Sequence, residues 1–187
     1  MQKINFNNSS FRIFLIFFLF YLSILFGFYL NEDSLGGAQN DFEYHYNISL
    51  AFIENFSKSF EDFGTQGSFM GTRNSPVFWI ILAQFSKIFS YDFLRLVNSS
   101  VSILICFYFF KCLKIRYKQI DSFILTLLTC VVFLSPTVRS LSIWPYSLIW
   151  GLLFFIISIF YFLKFLNEKQ ETKKFKQSFF TIFFVVI

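Results

Sequence analysis

A chain of 187 residues that is 56% hydrophobic and 14% charged carries too little charge to cover a globular surface, since a soluble domain of that length holds about 25% charged residues. Mean hydropathy is +0.59. The net charge of +5 is not a nucleic-acid signature, because the basic residues fall in short runs beside apolar segments, where they orient a membrane protein.

The first apolar run covers residues 13–30, near the lower limit of about 17 residues for a spanning helix. Lys3 and Arg12 precede it as they would in a signal peptide. The run is longer than an h-region of about 7–15 residues, and no small-x-small cleavage site follows, so it reads as a retained anchor. Residues 31–75 are polar and form a loop in which Ile48, Phe52, Phe56, Phe60 and Phe63 recur at helical spacing. That pattern predicts an amphipathic helix at the membrane surface. Residues 64–75, rich in Gly, Ser, Thr and Asn, read as irregular chain.

Ser75 and Pro76 then suit the N-cap and first turn of a helix over 76–89. At 1.5 Å per residue this run reaches about 21 Å, short of a hydrocarbon core of about 30 Å, and predicts a short interfacial or re-entrant helix. Further apolar runs cover 96–110, 123–138 and 148–166, and a last one, 179–187, is too short to cross. The expectation is the N-terminal part of a longer protein. Cys106, Cys112 and Cys130 lie in or beside these runs without metal-like spacing or a disulfide framework. The fold class is therefore all-α, a polytopic transmembrane bundle whose first outer loop carries amphipathic or interfacial helices.

Charge suggests the orientation. With a cytoplasmic N-terminus and a non-spanning 76–89, eleven of the sixteen basic residues are inside, as the positive-inside rule requires. An external N-terminus with 76–89 spanning gives the same total. Lys3 and Arg12 before the first helix, and no basic residue after it until Lys58, favour the first arrangement, in the inner (cytoplasmic) membrane.

The chemistry-bearing segment is 31–45. It holds Glu32, Asp33, Asp41 and Glu43 together with His45, the only histidine, a grouping suited to a general base or a divalent cation. Asp41 and His45, four apart, share a face if helical. Gly36 and Gly37 permit a turn that could bring Asp33 towards Asp41. Acidic residues beside a membrane also occur without any chemical role, and no ligand geometry indicates a metal, so no cofactor is assigned.

The order of a first span, an acidic motif, an amphipathic helix and Ser75-Pro76 opening a second apolar helix resembles the start of GT-C-type glycosyltransferases. These polytopic enzymes use polyprenyl-phosphate-linked sugars. Asp41-Phe42-Glu43-Tyr44-His45 resembles the Asp-x-x-aromatic-His form of their acidic motif. Glu32-Asp33 resembles its simpler acidic pair, and Ser75-Pro76-Val77-Phe78-Trp79-Ile80 resembles the helix start that follows. The resemblance spans about residues 10–165, with its specific part in 32–45 and 75–80. It implies inverting sugar transfer at the outer face to a glycan, lipid or protein acceptor, with membrane lipids as surroundings and no nucleic acid. The base is Asp41 or, second, Asp33. His45 and Glu43 would contact substrate, and Arg139, with Arg95 and Arg73 behind it, would meet the lipid phosphate. Asp92 and Arg95, three apart, could instead pair only with each other, and Arg139 beside Trp144 and Tyr146 also fits a plain interfacial anchor. A transporter or flippase would show ionisable residues deep in its spans, and the long apolar runs lack them. A non-catalytic membrane protein is the remaining alternative.

Overall fold

The computed structural model describes residues 9–34, 36–63 and 76–186, and among them every regular element is a helix. The helices are α1 (Ser9–Tyr29), α2 (Ala38–Glu54), α3 (Phe56–Asp62), α4 (Val77–Ser86), α5 (Tyr91–Arg116), α6 (Ser122–Phe133), α7 (Pro136–Ile143), α8 (Ser147–Asn167) and α9 (Glu171–Val186). Three of them, α1, α5 and α8, are long and apolar enough to cross a membrane. Their flanks carry large exposed apolar side chains, among them Phe14, Phe18, Phe26, Leu104, Phe155 and Phe162. Such a surface would be costly in water and costs nothing against lipid tails. The chain is a membrane protein on these grounds.

The apolar run 123–138 is not one straight helix. It breaks after Phe133, and α7 leaves α6 at 75°. The cause is local: Pro136 has no N–H to continue the ladder, and the Ser135 hydroxyl accepts from the Val138 N–H at 3.4 Å, starting a new helix. A similar break divides the expected amphipathic helix. At Asn55 the backbone turns extended (φ −150°, ψ 92°), and the Asn55 side chain caps α3 by accepting from Lys58 N at 3.1 Å. Ile48 and Phe52 on α2 are buried, whereas Phe56 and Phe60 on α3 are about half exposed. The second apolar helix is α4, ten residues long and so about 15 Å. The Ser75 cap and the irregular stretch 64–75 lie outside the described residues. Of the last apolar run, residues 179–186 are the second half of α9, which begins at Glu171, and residue 187 lies outside the described residues.

Two cores hold the molecule. The larger is built from Phe20 and Ile24 of α1, Val101 and Ile105 of α5, Phe133 of α6, Ile143 of α7, and Ile149, Leu153 and Ile156 of α8, with Phe42 of α2 joined to it. The smaller sits between α2 and α4 and comprises Ile48, Phe52, Trp79 and Ala83. Within the apolar bundle one polar side chain joins three helices. Asn98 on α5 donates to the Leu141 and Ser142 carbonyls at 2.8 and 2.9 Å and accepts from Trp150 Nε1 at 3.0 Å. It thereby satisfies carbonyls at the open end of α7 and ties α5, α7 and α8 together, as interhelical amides do where water is scarce.

Candidate functional site

The site forms where α1 ends and α5 begins. Asn31 at the end of α1 adopts a left-handed conformation (φ 52°), which asparagine tolerates better than most residues. Asn31 N donates to the Phe28 carbonyl at 3.2 Å and Glu32 N to the Gly27 carbonyl at 2.8 Å. This paired closure of a helix end swings Glu32 back beside the helix it has just left. There its carboxylate meets Arg139 from α7 in a two-pronged ion pair: Arg139 Nε donates to Glu32 Oε1 at 2.9 Å and Nη2 to Oε2. Arg139 Nη1 also donates to Ser23 Oγ at 2.6 Å, and Ser34 Oγ donates to Glu32 Oε1. The Arg139 hydrogen bonds hold the Glu32 carboxyl well below its ordinary range, at about 2, against the opposing effect of burial. Gly27 makes the approach feasible, since a Cβ there would lie 2.6 Å from Glu32 Oε2 and 2.7 Å from Ile143 Cδ1.

Asp33 performs a different task. Its two carboxylate oxygens accept from the backbone N–H groups of Gly36, Gly37, Ala38 and Gln39 at 2.8 to 3.4 Å. These are the orphan donors of the α2 N-terminus, where a negative charge is also favoured by the helix dipole. Gly36 and Gly37 have positive φ values of 75° and 152°, which wrap the chain round that carboxylate. Asp41 is exposed on the first turn of α2, within electrostatic range of His45 and Tyr146.

His45 is buried. Its Nδ1 accepts from Trp79 Nε1 at 2.8 Å, so the ring is neutral with its proton on Nε2, and its centroid lies 4.9 Å from that of Tyr146. Burial lowers the His45 pKa against the nearby Asp41 charge, and burial likewise raises that of the Tyr146 hydroxyl. His45 thus fastens α2 to α4.

Glu43 faces a cleft of about 520 Å³ that it lines together with Asn31, Gln39, Tyr91, Arg95 and Trp144. Gln39 Nε2 donates to Glu43 Oε1 at 3.0 Å. Arg95 is 4% exposed. Its guanidinium lies 3.7 Å from the Trp144 ring centroid and 4.9 Å from that of Phe28, close enough for cation–π attraction. It donates to Asn31 Oδ1 at 2.8 Å and to Asp92 Oδ1 at 3.3 Å. Its Nε has no partner, and the Asp92 side chain is 77% exposed. Trp144 Nε1 donates to the Glu32 carbonyl at 3.0 Å, which links the cleft wall to the Glu32–Arg139 pair.

The structure therefore sorts the residues singled out in the sequence. Glu43 lines the cleft, Asp41 and His45 sit on α2 beside Tyr146, Asp33 caps α2, and Arg139 is engaged by Glu32 and Ser23. Arg95, which the sequence offers as a weaker phosphate contact than Arg139 or as a partner for Asp92, and Trp144, which it offers as an aromatic anchor, wall the cleft. An available signal was the polar start of α5, where Arg95 and Asn98 precede an apolar stretch. Among the described residues no three His, Cys, Asp or Glu side chains gather to hold a metal ion. No family model, curated protein or solved structure matches this chain.

Proposed function

We propose that the chain is a membrane glycosyltransferase, or the N-terminal part of one, that moves a sugar from a polyprenyl-phosphate donor to a glycan, lipid or protein acceptor at the outer face of the inner membrane, with its N-terminus in the cytoplasm. The observation that carries this reading is the cleft itself: one carboxylate, Glu43, and one buried guanidinium, Arg95, share it with amides and aromatic rings. Amides suit sugar hydroxyls, and the rings of Tyr46 and Tyr91 in the same wall suit a sugar ring. A guanidinium fits a phosphate by geometry and charge.

In this reading a carboxylate of α2 removes the proton of the acceptor hydroxyl as its oxygen attacks the anomeric carbon. The bond from that carbon to the phosphate oxygen breaks with inversion. The lipid phosphate leaves with the electron pair, and its charge is met by Arg95. Glu43 is the base by position, with Asp41, four residues before His45, the next candidate. Asp33 and Arg139 serve the architecture, because their hydrogen-bonding groups are occupied. The basic ends of α5 and α8 and the start of α9 then face the cytoplasm.

The test uses the purified chain in micelles with farnesyl phosphate as a short polyprenyl phosphate, binding being followed through tryptophan fluorescence. We expect farnesyl phosphate to bind at least tenfold more tightly than farnesol, and Arg95→Gln to abolish the difference. Equal binding of the two would overturn the reading. A sugar-loaded donor then separates the carboxylates: Glu43→Gln should stop transfer while leaving phosphate binding intact. Orientation is tested in a chain lacking its three cysteines, with a single cysteine at Asn40 or at Gln119. An impermeant thiol reagent should label Asn40→Cys but not Gln119→Cys in intact cells.

A further inference from the structure

At the opposite end of the bundle lies a second cleft, of about 680 Å³, lined among others by Arg116, Lys118, Gln119, Leu163, Leu166 and Asn167. It sits between the C-terminus of α5, the turn into α6 and the C-terminus of α8. The turn is fixed by backbone bonds, Tyr117 N to Leu113 O at 2.7 Å and Ile120 N to Tyr117 O at 3.2 Å, so Arg116 and Lys118 stand on a defined scaffold.

Three features of this cleft point to one class of ligand. First, its two cations are uncompensated: among the described residues neither Arg116 nor Lys118 enters an ion pair. The neighbouring acidic residues are directed elsewhere: Asp121 Oδ1 accepts from Phe123 N at 2.6 Å as the cap of α6, and Glu168 Oε1 accepts from Lys169 N and Gln170 N at 3.0 and 3.2 Å. Second, the amide side chains of Gln119 and Asn167 stand in the same wall; Asn167 Nδ2 spends one hydrogen on the Leu163 carbonyl at 2.7 Å and keeps its second, and amide and guanidinium donors suit phosphate oxygens. Third, apart from Tyr117 the remaining wall is aliphatic, made of Ile115, Ile120, Leu163 and Leu166. Leu166 is 60% exposed and Ile120 44%, and both continue the apolar flanks of membrane-crossing helices. A free anion needs no such wall, whereas an acyl chain does. Basic pockets between membrane helices, at the boundary with water, are the usual seats of anionic lipid headgroups.

From this arrangement we infer that the cleft at the basic end binds an anionic phospholipid, with the phosphate between Arg116 and Lys118 and the acyl chains along Leu163 and Leu166. The site lies at the end of the bundle away from the Glu43–Arg95 cleft and does not depend on the function proposed for it.

Native mass spectrometry of the purified chain, with phosphatidylglycerol and phosphatidylcholine offered in equal amounts, reads this directly. Retention of phosphatidylglycerol should exceed that of phosphatidylcholine by about tenfold, because basic side chains near a membrane surface attract anionic headgroups. The double variant Arg116→Gln/Lys118→Gln should lose that preference. Lys173→Gln/Lys176→Gln, with the same change in net charge on α9, should keep it. Equal retention of the two lipids would overturn the inference. So would a loss of preference in the α9 variant as large as in the cleft variant, which would reduce the effect to general charge. Displacement of the bound lipid by millimolar inorganic phosphate would assign the site to a free anion and overturn it likewise.

Discussion

Two arginines stand at the same end of the bundle and live in opposite circumstances. Arg139 reaches back from α7 to a carboxylate that a helix-ending turn has delivered to it, and Ser23 takes part of what remains. Arg95 lies against the face of Trp144, shares one exposed carboxylate with the solvent, and keeps Nε unpartnered. The first neighbourhood is closed and neutral, so its energy goes into holding α1 to α7. The second keeps a guanidinium at the wall of a cleft, with its one carboxylate partner turned to solvent. What distinguishes the two is whether a carboxylate is held in place beside the guanidinium, which is a property of the backbone around Asn31 and Glu32 rather than of either arginine.

The contrast can be broken from the closed side. Glu32→Ala should have the largest effect, because it strands Arg139 in a partly buried site, where loss of one partner of such a pair costs about 3 kcal/mol. Denaturant unfolding in micelles reads this, and Arg95→Gln in the same assay should cost markedly less. Gly27→Ala comes next. The added methyl must push Glu32 or Ile143 aside, at about 2 kcal/mol for overpacking, and a substitution as small as this at an exposed helix position should cost almost nothing by comparison. Asp33→Ala removes the cap of α2 and should cost about 1 kcal/mol, seen as earlier melting of the α2–α4 unit with the α1–α7 contact preserved.

The smallest effect separates regions by pH. His45 has its pKa lowered in the folded state, so protonation favours the unfolded form. The stability it supports is complete above the ordinary value of 6.5 and is lost as pH falls below it. Trp79 donates to the nitrogen that must take the proton, so about 1 kcal/mol goes with that bond, and its fluorescence should change first. Glu32 is also lowered, to about 2. Its contribution is present above the ordinary carboxyl value of 4.5 and disappears only as pH approaches 2. Trp79 fluorescence that stays constant from pH 7 down to pH 4 would contradict the placement of the His45 proton.

Much of the architecture was written in local patterns. The runs at 13–30 and 148–166 announce α1 and α8 because an uninterrupted apolar stretch of that length has no other comfortable environment. The break at Ser135-Pro136 carried the same cap-and-proline signal as Ser75-Pro76, and it was obscured by the apolar residues on both sides. Asn55 was likewise hidden by a periodic row of phenylalanines, although asparagine at such a point readily ends one helix and caps the next. The site was less legible. The acidic segment and its helix could be seen, but four carboxylates within fourteen residues look equivalent until the chain is folded. Only partners far away in sequence tell them apart: Arg139 for Glu32, the far side of the cleft for Glu43. Asp33 was the exception, since its partners lie within six residues and a cap before a helix can be anticipated.

The bend between α6 and α7 has a consequence for the bilayer around the protein. Counted by hydropathy, 123–138 is one span, yet α6 has twelve residues before the chain turns aside by 75°, so it rises only about 18 Å. Ile124, Leu128 and Val131 on it are exposed and demand acyl chains over that short height. A hydrophobic element shorter than the hydrocarbon layer of about 30 Å is met by local thinning of the membrane. With α6 set in a bilayer, such thinning would compress the lipid on this flank and carry the headgroups there deeper than elsewhere round the bundle.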